Sequence, residues 1–451
     1  MAEPFPSATH LKEEITQLEE EGFDVSEPRS RLAALDSRAG DEAARRRLLS
    51  TLTQLPRRPD FPYQEPSDLH AIRAARPEGP RRLSGRLGKR LLHDRTLGAW
   101  LGRSAGCLLG KPCEGWSRAT VERALRALHA WPLCDYWPRV ETLPDGLVYR
   151  SSAPADADAI PYPQPDDVSL KENITRMARD DDMDYPIIGL HLLESCGPDF
   201  TTPDVGRQWL EHLPYGCVYT AERVAYKNLV DGLEPPDSAS FQNPYREWIG
   251  AQIRADICGW VCPGHPELAA ELAWRDAALS HTKNGIYGEM FFAALMAAAF
   301  VESDLLELID IALSEIPLNC RLREAVLDTV EWCGKDADWE TTWERIDDKY
   351  GHYHGVHTIN NAAVVLLSLL HSGGDYEQAI AISVMGGWDT DCNGATAGSV
   401  MGILLGAKAL PEKWIAPLND RISSIVVGFT DMKLSALARR TAAVQQIVLP
   451  R

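Results

Sequence analysis

The sequence predicts an all-α protein in which a multi-helix domain follows a helical N-terminal extension. Apolar residues recur every three to four positions through most of the chain after residue 91, which is the spacing of one face of a helix. β-Branched alternation over five or more residues, which would indicate strands, is nearly absent. The 451 residues, 45% of them hydrophobic, are enough for one large domain and a smaller element.

The extension is predicted to span residues 1–90 and the main domain residues 91–451. Leu11, Ile15 and Leu18 recur at helical spacing near the start, and further leucines follow between residues 32 and 52. Residues 56–82 are then rich in proline and arginine, which is typical of a linker. The sequence does not indicate what the extension does.

The segment Gly386–Gly394 carries two carboxylates one residue apart, Asp389 and Asp391. It leads into a long run of small and apolar residues that predicts a tightly packed helix. A helix N-terminus stabilises nearby carboxylates. Two aspartates this close in a packed setting need a cation, a proton or a hydrogen-bond network.

A second acidic cluster precedes another apolar helical stretch. Asp180, Asp181, Asp182 and Asp184 place four carboxylates within five positions. Acidic runs are more often solvated faces. Two such runs, each leading into a buried helix, favour a site for a hard cation with oxygen ligands.

Three motifs in order resemble the ADP-ribosylglycohydrolase family, over roughly residues 91–445. The stretch Gly98–Glu114 is similar to that family's opening glycine-rich helix, which ends in a G-x-P-x-E turn. Asp180–Asp182 is similar to its Thr-Asp-Asp, and Asp389–Asn393 to its Asp-Thr-Asp-Thr-Asn. Each motif alone is weak to moderate, whereas all three in the same order are a strong signal.

The resemblance implies a compact orthogonal helical fold around two Mg²⁺ ions, with Mn²⁺ as an alternative. It implies a hydrolase that cleaves the glycosidic bond between ADP-ribose and an acceptor, which is a protein side chain, a nucleobase or a small molecule. Carried over by position, Glu114 and Asp181 are expected to be catalytic. The expected metal-binding residues are Asp180, Asp181, Asp182, Asp389, Asp391 and Cys392.

Three positions depart from the family pattern. Asp180 and Cys392 stand where members usually have threonine, and Cys107 stands where the first motif often has aspartate. A thiol is a soft ligand that suits magnesium poorly. Two alternatives therefore stay open: a hydrolase of another riboside or nucleotide-sugar, and a non-catalytic ADP-ribose-binding or structural relative.

The predicted substrate contacts lie on several segments. For some of them a structural role is the alternative: a core or helix-end histidine for His281, a turn before the helix near Tyr287 and Gly288, and a core tryptophan for Trp388. The aromatic-rich segment between Glu114 and Asp180 is either a lid or a surface loop packed by its own rings. The full set of expected contacts is Glu114, His281, Tyr287, Gly288, His354 and Trp388.

The composition indicates which classes of partner and which cellular location to expect. A formal charge of −19 argues against general nucleic-acid binding, although a bound cation can reverse the charge locally for a nucleotide-sized ligand. The ten scattered cysteines predict reduced thiols in a cytoplasmic protein. The first residues lack a signal-peptide pattern, and the longest apolar run, residues 290–301, is too short to span a membrane.

Overall fold

The computed structural model describes residues 7–36, 42–85, 87–150 and 159–449. The protein is 61% helical and 4% strand, which confirms the predicted all-α class. The extension contains the helices α1 (Ala8–Glu20), α2 (Ser26–Asp36), α3 (Glu42–Leu52) and α4 (Leu69–Ala75).

The main domain begins with one long helix and ends with a second, shorter one. Its first elements are α5 (Lys89–Gly110), α6 (Arg118–Ala127) and the parallel strand pair β1 (Leu147–Tyr149) and β2 (Ile160–Tyr162). Its middle helices are α7 (Asp181–Cys196), α8 (Thr202–His212), α9 (Thr220–Val230), α10 (Asp237–Ser240), α11 (Ala255–Trp260), α12 (Pro266–Ala277), α13 (Lys283–Ala299), α14 (Leu305–Leu313) and α15 (Arg321–Cys333). Its last elements are α16 (Trp339–Tyr350), α17 (Thr358–His371), α18 (Tyr376–Met385), α19 (Thr390–Leu405), α20 (Glu412–Ile415), the antiparallel pair β3 (Arg421–Ser423) and β4 (Asp431–Lys433), and α21 (Leu434–Val448).

Helices α5 and α19 pack backbone against backbone along their length. A methyl group placed on Gly106 would lie 1.9 Å from the carbonyl oxygen of Gly394, and one on Gly102 would lie 2.2 Å from that of Gly398. Only glycine allows so close an approach. The interface is formed by glycines four residues apart on each helix: Gly98, Gly102 and Gly106 on α5, and Gly394, Gly398 and Gly402 on α19.

This packing determines where both acidic motifs end up. The end of α5 lies on the start of α19, since a methyl group on Gly110 would lie 2.1 Å from the carbonyl oxygen of Thr390. Thr390 also donates its hydroxyl to the Gly110 carbonyl at 2.7 Å. The turn after α5, which carries Glu114, is therefore next to the helix start that carries Asp389 and Asp391.

The extension has its own small core and is joined to the main domain by buried ion pairs. The predicted leucine-rich helices pack together through Leu11, Ile15 and Leu18 with residues of α3. On an adjoining face of α1, Arg246 binds Glu14 at 3.0 Å, and it also binds Glu21, which follows the helix, at 2.7 Å. The residue limits of the two predicted domains stay a prediction.

In the described part of the aromatic-rich segment, three of the rings are buried in the core and do not cover the cleft. Tyr136, Trp137 and Tyr162 are at most 2% exposed and belong to the main core. The Trp137 indole donates to the carbonyl of Leu109 at 3.1 Å, which fixes the segment against α5. Both predicted alternatives for these three rings are thereby corrected, because burial in the main core satisfies large apolar side chains better than an exposed loop does. Residues 151–158 of the segment lie outside the described residues.

In the described ranges, no helix is both long enough and apolar enough to cross a membrane.

Replacing Gly106 with alanine should destabilise the protein by roughly 3 kcal/mol, because the new methyl group meets backbone that cannot rotate away. Thermal unfolding of the variant and of the parent protein measures this. Gly216→Ala is the control, since a methyl group there meets nothing within 4 Å. Equal melting temperatures for Gly106→Ala and Gly216→Ala would contradict the proposed tightness of the α5–α19 interface.

A second prediction concerns Glu20, which lies in the contact between α1 and the main domain. Burial and the nearby Glu247 carboxylate raise the pKa of Glu20 to about 8, from 4.5. The folded state therefore holds a proton that the unfolded state loses, and stability falls as pH rises from about 4.5 to about 8. Because a glutamine side chain stays neutral at every pH, Glu20→Gln should raise the free energy of unfolding by at least ~1 kcal/mol at pH 8 and have little effect at pH 4.5.

Urea unfolding at the two pH values measures this difference. Glu19→Gln is the matched control, because Glu19 is the preceding residue and pairs with Arg29 at the surface. A Glu20→Gln variant whose stability relative to the parent does not change with pH would rule out a buried, protonated Glu20.

Candidate functional site

Helices α7 and α19 begin at the same cleft. Asp180 is the N-cap of α7 and accepts a hydrogen bond from the Asp182 N–H at 3.0 Å. Asp389 is the N-cap of α19. The cleft has a volume of about 310 Å³, and both helix N-termini stabilise negative charge in it. Its acidic lining residues are Glu114, Asp180, Asp181, Asp182, Glu222, Asp389 and Asp391.

Two turns bonded to each other bring Glu114 to Asp389. The Gly115 N–H donates to the carbonyl of Trp388 at 2.9 Å, and the Trp388 N–H donates to the carbonyl of Trp116 at 2.7 Å. Gly387 has φ of +75° and a methyl group there would lie 2.5 Å from a backbone nitrogen. Gly387, the second glycine of the pair before the aspartates, is thus needed for both the turn and the close approach.

Asn361 on α17 holds the start of α19 in place. Its side-chain oxygen accepts from the Asp389 N–H at 3.2 Å and from the Asn393 amide at 2.8 Å. Its amide nitrogen donates to the carbonyls of Gly355 and His357, both at 2.8 Å. One buried side chain therefore joins the loop before α17 to the acidic helix start.

Three cations pair with carboxylates of the acidic cluster, and one of them is Arg179, which binds Asp184 at 2.8 Å. Lys111 forms an ion pair with Asp180 at the edge of the cleft. Arg103 is fully buried beneath the cleft and binds Asp182 at 2.8 Å and Asp256 at 2.7 Å. Within the described chain, no ion pair is formed by the remaining carboxylates of the motifs, Glu114, Asp181, Asp389 and Asp391.

The unpaired carboxylates are forced together in a desolvated space. Glu114 is exposed in the open cleft, but the surrounding protein desolvates its carboxylate and, with Asp389 and Asp180 nearby, raises its pKa to about 7. Burial followed by the charge of Glu114 raises the pKa of Asp391 well above its usual range. The Oδ1 atom of Asp391 is buried without a hydrogen-bond partner in the described structure. Such a group calls for a bound cation or a proton.

Two groups of potential metal ligands share Asp391. Glu114, Asp389 and Asp391 form one group, and Asp182, Asp391 and Cys392 form the other, with ligand atoms within 4.8 Å of one another in each. A third group contains Cys107, Asp180 and Asp182. Both of its carboxylates are already paired, with Lys111 and Arg103, whereas only one carboxylate of the second group and none of the first is paired, so the first group suits a cation best.

The predicted acidic residues meet in this cleft, and the predicted substrate contacts only partly do. His354 stacks on Trp248 at 4.2 Å and lines an adjoining cavity. Trp388 is half-buried and packs on Trp343 outside the cleft lining.

Three expected substrate contacts are not at the cleft. His281 is 1% exposed and its Nδ1 lies 2.8 Å from the Ser280 hydroxyl. Tyr287 donates its hydroxyl to the carbonyl of Pro66, and Gly288 is packed against Thr358. The expectation for these three is corrected: each is held in the helical core and does not line the cleft.

Sequence reasoning missed several residues that form the site. Lys111 and Arg103 lie within the glycine-rich motif, so their positions could have drawn attention as counter-charges to the aspartates. Asn361 and Trp248 had no such signal, because their roles depend on contacts with residues far away in the chain.

A family model for ADP-ribosylglycohydrolase matches residues 89–447, which include both acidic helix starts and the turn with Glu114. The chain belongs to the ADP-ribosylglycohydrolase family. The matched region begins with α5 and leaves the extension outside. Membership indicates a hydrolase of the glycohydrolase type, and the buried acidic groups are compatible with the divalent metals that the family generally uses.

Other comparisons are more distant. A solved structure described as an "ADP-ribosylglycohydrolase-related protein complex" is similar to this chain at 19% identity, with a TM-score of 0.43. The match covers 80% of this chain and 100% of the other. No curated protein matches the chain.

Asn361→Ala should destabilise the protein by ~1–3 kcal/mol, because it leaves the Asp389 N–H and the Asn393 amide without their acceptor. Urea unfolding measures the loss. Asn360→Ala is a matched control, since Asn360 is equally buried but its side chain contributes only a hydrogen bond from its amide to the His354 carbonyl, at 3.2 Å, in the described structure. An equal or larger loss in the Asn360 variant would contradict the central role of Asn361.

Proposed function

We propose that this protein is a metal-dependent hydrolase that cleaves the glycosidic bond between ADP-ribose and an acceptor. The observation that carries the proposal is the pair of ligand groups that share Asp391 in one cleft. The partner would be an ADP-ribosylated substrate or a related small molecule. All ten cysteines are free thiols, in keeping with a cytoplasmic location.

The donor atoms fit hard divalent cations. Glu114, Asp389 and Asp391 offer only carboxylate oxygens, the ligands that Mg²⁺ and Mn²⁺ prefer. The unpartnered Oδ1 of Asp391 supports a ligand role for that residue. In the second group Cys392 offers a thiol, so we propose two Mg²⁺ positions of unequal strength, the weaker one beside Cys392.

The charge of the four carboxylates that form no ion pair also matches the charge of two Mg²⁺ ions. When ionised, Glu114, Asp181, Asp389 and Asp391 carry four negative charges, whereas Asp180 is paired with Lys111 and the single positive charge of Arg103 is shared by Asp182 and Asp256. Two divalent cations carry the same amount of positive charge. Bound there, they would supply the positive charge that orients ribose hydroxyls and a water molecule.

Asp181 is the best candidate for proton transfer. It is the one carboxylate of the two motifs that belongs to none of the three ligand groups and, within the described chain, forms no ion pair. It is also partly exposed in the cleft, whereas Asp182, Asp389 and Asp391 are at most 4% exposed. Glu114 would then act chiefly as a ligand, a narrower role than the catalytic one expected from sequence.

The proposed reaction is hydrolysis through an oxocarbenium-like transition state. The bond from the anomeric carbon of ribose to the acceptor breaks, and its electron pair leaves with the acceptor. The water oxygen forms the new bond to the anomeric carbon while a carboxylate oxygen of Asp181 takes a water proton. That proton, or one from solvent, ends on the acceptor, so the products are ADP-ribose and the free acceptor.

Paired variants should separate metal binding from chemistry. Asp391→Asn should abolish the rise in melting temperature that Mg²⁺ gives relative to EDTA, because binding to the folded state stabilises it by mass action. Asp181→Asn should keep that rise and lower the hydrolysis rate by ~10²–10⁴-fold, the usual contribution of a general acid or base. Glu331→Gln, a change at an exposed pair on α15, is the control for both.

Hydrolysis would be followed as release of ADP-ribose from conjugates linked through arginine, serine, a nucleobase or a phosphate ester. A Mg²⁺ response without ADP-ribose binding would move the assignment to another riboside or a nucleotide-sugar. If neither Mg²⁺ nor ADP-ribose changed the melting temperature, the proposal would fail in favour of a non-catalytic relative.

A further inference from the structure

A second cavity adjoins the acidic cleft and is walled in part by the N-terminal extension. Its volume is about 580 Å³, and Thr220 and Trp248 line both spaces. Thr9 and Glu13 of α1 form one side of it, and Arg223 of α9 lies in another part of its lining. The two spaces therefore meet at Thr220 and Trp248, and the second of them reaches α1.

The extension is attached to the segment that forms the floor of this cavity. Tyr245 and Trp248 line the cavity, whereas the two residues between them bind α1. Arg246 forms ion pairs with Glu14 and Glu21, and Glu247 accepts a hydrogen bond from Gln17 at 3.0 Å. The position of α1 is thus fixed by the same short segment that separates the two spaces.

The lining of the cavity combines a cluster of aromatic side chains with a carboxylate and a guanidinium. Trp248 stacks on His354 at 4.2 Å and packs on Tyr245 at 4.6 Å. Glu13 is half-buried and, in the described part of the chain, forms neither a hydrogen bond nor an ion pair. Arg223 is held by the Val218 carbonyl at 2.7 Å and the Gly216 carbonyl at 3.3 Å, which orients its guanidinium.

These groups match the chemistry of an adenine nucleotide. Aromatic side chains provide surface for a base, and a guanidinium is well suited to phosphate oxygens. A free carboxylate accepts from an exocyclic amino group, which adenine has and hypoxanthine lacks. The same carboxylate would face the carbonyl oxygen of hypoxanthine unfavourably.

We propose that α1 of the extension forms one wall of a subsite for the adenine-nucleotide end of the substrate, with Glu13 selecting for the amino group of the base. The proposal rests on the proposed function, in which the ribose to be cleaved occupies the acidic cleft. It gives the extension, which lies outside the family match, a direct part in substrate binding.

The test is calorimetric binding of ADP and of inosine 5′-diphosphate to the full-length protein in EDTA. The parent should bind ADP at least tenfold more tightly than the inosine nucleotide. Thr9→Trp, which fills the cavity from α1, should weaken ADP binding at least tenfold. Glu13→Ala should bring the two affinities to within about threefold, or ~0.6 kcal/mol.

Lys12→Trp is the matched control, because Lys12 is exposed on the same helix and does not line the cavity. It should bind ADP like the parent, and the melting temperature of each variant checks that it is folded. Unchanged ADP binding in Thr9→Trp, no ADP binding by the parent, or an unaltered base preference in Glu13→Ala would each overturn the proposal. So would tight binding of a basic peptide in place of ADP.

The outcomes separate this proposal from the proposed function. ADP binding that depends on Thr9 and Glu13, without release of ADP-ribose from any conjugate, would leave the subsite standing and remove the hydrolase assignment. Release of ADP-ribose that depends on Asp181 and is unaffected by Thr9→Trp, in affinity as well as in rate, would leave the hydrolase and remove the subsite.

Discussion

The backbone contact between α5 and α19 is the constraint on which the site depends. Their glycines bring the two helices so close that the residues following one lie beside the first residues of the other. This contact places the turn with Glu114 against the N-cap Asp389, and the paired turns at Gly115 and Trp388 lock that arrangement. A larger residue at the interface would move two halves of the acidic cluster apart, although neither half would change in sequence.

Charge is the second organising factor. Carboxylates from two helix starts are placed together at a free-energy cost that burial increases. The protein offsets part of this with Lys111 and Arg103, which bind Asp180 and Asp182. The remaining negative charge is concentrated around the unpartnered oxygen of Asp391. Asp180, which stands where the resemblance to the family implies threonine, is paired with Lys111, so its charge need not be balanced by a metal.

The extension is integrated with the site through buried polar contacts. Arg246 and Glu247 bind α1, and their neighbours Tyr245 and Trp248 face the cavities. A buried ion pair often adds little net stability, because the cost of desolvating both charges offsets their attraction. The pairs of Arg246 with Glu14 and Glu21 instead hold α1 in one position beside the cleft. The extension, which the family match does not include, is therefore built into the surroundings of the family site.

The sequence by itself determined the all-α class, the leucine-rich helices of the extension and the two acidic motifs, because periodicity and short motifs are local properties of the chain. It also placed the aspartates at helix starts. Only the tertiary structure decided that Asn361 supports Asp389, that Lys111 neutralises Asp180, and that His281 and Tyr287 lie in the core. These outcomes depend on contacts between residues tens to hundreds of positions apart, where packing and hydrogen bonding, and not local pattern, select the partner.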